Sequence, residues 1–101
     1  MRLGFVLDDG DLAIQLRALD AARCDQIVKG DALDVVKRLS GGDVLVVWRI
    51  DKLATDLSRL QRIIKQVHDS GASLELIFER INSRAGGDFN LPALVNLFEK
   101  I

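Results

Sequence analysis

The chain has 101 residues, of which 49% are hydrophobic, so it carries enough apolar mass for one modest core and is not a disordered tail. Fourteen basic residues against fifteen acidic ones leave a net charge of −1, which excludes a general attraction to nucleic acid or to an anionic membrane. The single cysteine, Cys24, has no internal disulfide partner, and no apolar run reaches membrane-spanning length, so a cytoplasmic domain with no membrane association is expected.

In chain order, Arg2-Leu-Gly-Phe-Val-Leu7 reads as a short buried strand, stopped by Asp8-Asp9-Gly10-Asp11. Aspartates beside a glycine favour a turn and then a helix cap. Leu12, Leu16 and Leu19 follow at helical spacing, with Ala18, Ala21 and Ala22 widening the stripe. Residues 25–28 form a second strand, and Lys29-Gly30-Asp31 turns the chain into a short helix marked by Leu33, Val36 and Leu39. Gly41 and Gly42 close that helix. Val44-Leu-Val-Val-Trp-Arg-Ile50 is a third strand; its β-branched apolar run fits a strand covered on both faces, as in a parallel sheet. A long helix is predicted over 56–70, with Leu57, Leu60, Ile63, Ile64 and Val67 facing inward and Gly71 stopping it. Residues 73–78 form a fourth strand and 82–88 a loop. Asn90 then caps a last helix, with Pro92 in its first turn.

Strands alternating with helices predict an α/β fold in three layers, a mostly parallel sheet of four to five strands with helices on both faces. Function in such sheets gathers beyond the carboxyl ends of the strands. There, Asp8 and Asp9 leave strand one, Arg49 to Lys52 leave strand three, and Glu79 and Arg80 leave strand four. A polar pocket of Asp8, Asp9, Asp51 and Lys52 is expected.

Several stretches resemble the catalytic domain of the serine recombinases, the resolvase and invertase family. Leu3-Gly4-Phe5 resembles the family's Ile-Gly-Tyr opening, and Gln15, Ala18-Leu19 and Cys24 resemble its first-helix pattern. Residues 42–53, Gly-Asp-Val-Leu-Val-Val-Trp-Arg-Ile-Asp-Lys-Leu, are similar to Gly-Asp-x-Leu-Val-Val-Trp-Lys-Leu-Asp-Arg-Leu. Ser70-Gly71 and the strand running to Glu79 continue the likeness. The resemblance implies a DNA phosphodiester attacked by a serine hydroxyl, with arginines holding the phosphoryl oxygens.

The departures fall on that chemistry. Where the family has arginine, valine and the nucleophilic serine, this chain has Leu7, Asp8 and Asp9. The connection at residues 29–32 is shorter than the family's arginine-bearing loop. Asp51-Lys52-Leu53-Ala54-Thr55 keeps one cation of two, as lysine. An aspartate at the attacking position repels a phosphate, so a non-catalytic relative is expected, with no cofactor, no metal and weak or no DNA binding by this domain alone. The 101 residues are expected to form one resolvase-like domain without the family's helix-turn-helix module. Leu94, Leu97, Phe98 and Ile101 in the last helix are the expected association surface for a homo-oligomer. The alternative is a receiver-like phosphoacceptor domain binding magnesium through Asp8, Asp9 and Asp51. Judged singly, His68 and Trp48 read as surface and packing residues, and Arg49, Arg59, Arg62 and Lys65 as a solvated face.

Overall fold

The computed structural model describes residues 1–83. Strands β1 (Arg2–Val6), β2 (Gln26–Lys29), β3 (Val44–Val47), β4 (Ser73–Leu76) and β5 (Ile81–Asn82) form one sheet in the order β2-β1-β3-β4-β5. The first four run parallel, and β5 lies antiparallel on β4. Helices α1 (Leu12–Ala21), α2 (Ala32–Val36), α3 (Ile50–Leu53) and α4 (Leu57–Asp69) connect them. The expected α/β architecture is therefore present.

The alternation of side chains along the strands splits the core in two. Leu3 and Phe5 of β1, Leu45 and Val47 of β3, and Leu74 and Leu76 of β4 share one face. They pack with Val35 and Val36 of α2 and Leu60, Ile63, Ile64 and Val67 of α4. The opposite face is thinner: Val6, Val44 and Val46 pack with Leu19 of α1, which lies against β1 and β3. Gly4 makes that approach possible. A Cβ there would stand 3.0 Å from both the Leu19 Cδ1 and the Cys24 Sγ. Cys24 itself is half-buried, and burial pushes its thiol up.

Local chemistry sets the helix ends. Asp31 caps α2 by accepting from the Leu33 amide at 2.8 Å, and Asp56 caps α4 by accepting from the Arg59 amide at 2.8 Å. Gly71, at φ +79°, supplies the left-handed residue that closes α4.

Several sequence expectations are corrected. Strand three ends at Val47, not Ile50, and strand four at Leu76, not Phe78. Ile50 and Leu53 are both buried, and burying two residues three apart on one side requires the helical turn α3, which periodicity over so short a span does not reveal. The stripe of α1 is also rotated: Leu16 is 40% exposed while Gln15 is fully buried, because the first turn is anchored by polar bonds and not by its leucines. Leu57, expected inside, is 37% exposed at the start of α4. Finally, β5 arises just before and within the stretch read as loop. The expected last helix, with Leu94, Leu97, Phe98 and Ile101, lies outside the described residues.

Candidate functional site

The β1–α1 connection is built around Gln15. Its Oε1 accepts from the Leu7 amide at 2.8 Å, and its Nε2 donates to the Leu7 carbonyl at 2.9 Å and to Asp9 Oδ1 at 3.1 Å. One buried amide thus holds the end of β1 and fixes the carboxylate two residues on. Asp9 Oδ1 also accepts from the Asp11 amide at 2.9 Å, an Asx turn of the kind expected from the sequence.

Across the carboxyl end of the sheet, α3 brings Lys52 to this loop. Its Nζ lies 2.7 Å from Asp9 Oδ2 and 2.7 Å from Asp11 Oδ2, and its side chain is only 10% exposed. The hydrogen bond from Lys52, followed by that from the Asp11 amide, holds the Asp9 carboxyl below the usual carboxylate range. Reciprocally, the bonds to Asp11 and Asp9 raise the Lys52 ammonium above its ordinary value. Lys52 is therefore spoken for twice over.

Beside this bridge opens a cleft of about 370 Å³, lined by Phe5, Leu7, Asp31, Lys52, Thr55 and Arg59 among others. Its second cation, Arg59, is also matched: its guanidinium donates to Asp31 Oδ1. The Leu33 amide, then Arg59, hold the Asp31 carboxyl low. Among the described residues, each cation lining the cleft faces a carboxylate of the same chain.

Arg49 does not lie on a solvated face as expected. Its guanidinium stands 4.7 Å from the Phe78 ring centroid and 5.4 Å from that of Trp48, within reach of cation–π attraction. Its Nε is 3.2 Å from Asp51 Oδ1, an ion pair without hydrogen-bond geometry, since neither atom has a hydrogen-bond partner among the described residues. Glu79, from beyond β4, accepts from the Ile50 amide at 3.1 Å and so caps α3.

Of the expected pocket, Asp9 and Lys52 meet directly and Asp51 lines the cleft, whereas Asp8 is exposed and makes no ion pair among the described residues. Asp51 and Lys52, neighbours in sequence, do not pair with each other. They diverge to Arg49 and to the aspartates. Sequence reasoning missed Asp11, Asp31 and Arg59 as site members; Asp11 and Asp31 were visible only as cap and turn residues. The receiver-like alternative finds no support. Asp51 is turned to Arg49 and Asp9 is bridged by Lys52, and no three such side chains group to hold a metal among the described residues.

Fold and site together describe a parallel α/β domain whose polar end lies at the carboxyl ends of β1 and β3. A family model described as the resolvase N-terminal domain matches residues 7–99, and the chain belongs to that family, the serine recombinases. It is 30% identical over 102 residues to the DNA-invertase hin of Salmonella typhimurium, covering 90% of this chain and 54% of that protein. It is 28% identical over 96 residues to the serine recombinase gin of Escherichia phage Mu, covering 82% and 50%. The chain thus spans about half the length of the curated relatives it matches. The fold is that of the N-terminal catalytic domain of TP901-1 integrase, with a TM-score of 0.70 at 12% identity over 99% of this chain and 97% of the other. No described helix is long and apolar enough to cross a membrane.

Proposed function

We propose that this domain is a non-catalytic member of the resolvase family, kept for its contacts with other macromolecules and not for strand scission. One observation carries the reading: the residue at the nucleophile's place, Asp9, is ion-paired to Lys52, which Asp11 also engages at 2.7 Å. A serine hydroxyl at this place would need activation, and charge gathering on the phosphoryl oxygens would need free cations around it. Here the attacking position is itself anionic, and the cation nearest to it is already bound to two carboxylates. An incoming phosphodiester would have to displace both.

The test is incubation with duplex DNA carrying a nick that traps covalent intermediates, read on a denaturing gel for adduct and for strand cleavage. Cleavage is followed as well because an aspartyl phosphate would hydrolyse. Neither product is expected from the native chain. Nor is either expected from Asp9→Ser, in which Asp11 still engages Lys52 and the family's arginine places stay unfilled. A cleaved strand from the native protein refutes the reading. Weak DNA binding without chemistry belongs to the same proposal; an affinity that scarcely changed between low and moderate salt would argue against any phosphate-contact role.

A second reading, favoured by the spacing of Leu94, Leu97, Phe98 and Ile101, is self-association through the last segment. A sedimentation coefficient that rises with protein concentration tests it.

A further inference from the structure

Asp9–Gly10 is the only aspartyl–glycyl pair in the sequence. The carboxyl carbon of an aspartate can be attacked by the amide nitrogen of the next residue. A glycine there puts no side chain in the way and leaves the backbone free to turn. This pair lies in the β1–α1 connection, outside any helix or strand, and a Cβ on Gly10 would meet nothing within 4 Å. Among the described residues the Gly10 amide donates to no acceptor. Asp69, followed by the small residue Ser70, makes the contrast: it ends α4, and the Ser70 amide is occupied by the Gln66 carbonyl at 3.1 Å.

What opposes the attack is the set of donors around the carboxylate. Asp9 Oδ1 accepts from the Asp11 amide at 2.9 Å and from Gln15 Nε2 at 3.1 Å, and Oδ2 accepts from Lys52 Nζ at 2.7 Å. Both oxygens are held, so turning the carboxyl carbon toward the Gly10 nitrogen means giving up those bonds. The ammonium acts a second time. Ring closure proceeds from a neutral carboxyl, and the Lys52 bond is the largest influence keeping Asp9 ionised.

We propose that Asp9–Gly10 is a site of isoaspartyl modification in this chain, and that Lys52 together with Gln15 is the restraint that protects the folded domain from it. In the reaction the Gly10 nitrogen bonds to the Asp9 carboxyl carbon and a C–O bond of that carboxyl breaks. The departing hydroxyl leaves with the amide proton as water. The cyclic imide then takes up one water at either of its carbonyls, returning aspartate or leaving isoaspartate. Nothing is oxidised or reduced, and the final mass equals the starting one.

Isoaspartate adds a carbon to the main chain between β1 and α1. The Asp11 amide then no longer stands two residues beyond a carboxylate, and the Asx turn is lost. The product bears a free α-carboxyl of the kind that isoaspartyl methyltransferases esterify, so methyl transfer is the class of reaction that consumes it. The assignment rests on the geometry of this loop and holds whether or not the domain cleaves DNA.

The test is prolonged warm incubation of the whole chain at about pH 6, once in buffer and once in denaturing urea, where an ordinary aspartate is about 1% neutral. Isoaspartate is read in the tryptic peptide 3–17 by fragmentation that locates the altered residue, and by methyl incorporation from S-adenosylmethionine with an isoaspartyl methyltransferase. Conversion at Asp9 is expected in urea and should be slowed by Gly10→Ala. The native fold should lower the rate about tenfold or more, and folded Lys52→Met should regain about tenfold for each unit by which the Asp9 midpoint rises. Lys52→Gln is the second variant should Lys52→Met not fold. Native protein that converts as fast as the unfolded chain overturns the proposal, as does a folded Lys52 variant as slow as the native one. Absence of isoaspartate at Asp9 in urea removes the site altogether. Every readout is taken without DNA, so the catalytic reading is judged separately.

Discussion

Replacing Gln15 by methionine removes the clamp on the β1–α1 connection while nearly preserving its volume. The native amide makes three bonds, two to the Leu7 backbone and one to Asp9, and is fully buried. In Gln15→Met the Leu7 amide and carbonyl both lose their partner. A buried group left unsatisfied costs about 1–3 kcal/mol, and Leu7 is half-buried, so water recovers part of it. The expected loss is about 2–3 kcal/mol, or a fall in Tm of about 10–20 °C for a domain of this size. Urea unfolding followed by the fluorescence of the single tryptophan, Trp48, measures it, with an unchanged m value as the sign that the same surface unfolds. A loss below about 0.5 kcal/mol would refute the view that polar bonds, not leucines, set the register of α1.

Gly4→Ala should destabilise by about 1–3 kcal/mol, because the new methyl meets Leu19 and Cys24 at 3.0 Å; the same urea titration checks it. The carboxyls of Asp9, Asp31 and Asp43 are all held below their ordinary 3.8 in the folded state. Their contribution is therefore fully present above that value and lost as pH falls through the lower folded values. The urea midpoint should be flat down to about pH 5 and then decline, and a midpoint that rose on acidification would contradict the assignment. Lys52→Met should raise the titration midpoint of the Asp9 carboxyl, read by carbon NMR of the side chain, since the lysine bond is its largest lowering influence. Asp31→Ala removes the α2 cap and should cost about 1 kcal/mol.

The strands and the long helix α4 were legible because their signals are repeated. Four residues of α4, Leu60, Ile63, Ile64 and Val67, recur at helical spacing and are buried as expected. The run from Val44 to Val47 announced a strand buried on both sides. What escaped was short or polar. α3 spans one turn and β5 two residues, too few for a period to show. Gln15 counts as polar in any hydrophobic pattern, so only its place in the family resemblance marked it, and nothing local said that it would be buried. The candidate site was half legible. Topology brought Asp9 and Lys52 to one end, but their union depends on side-chain reach across 43 residues of sequence, and the Arg49 stack depends on Phe78 from the turn beyond β4.

The sheet's two borders also bear on how the protein behaves when crowded. β2 offers four residues, including Lys29, and β5 only two. A stranger's backbone could find few free amides in register on either side, and a lysine on one of them adds a charge that must be desolvated before any pairing. Concentrated solutions of this domain should therefore resist fibre growth by strand addition, a protection that comes from brevity at the borders and not from the core.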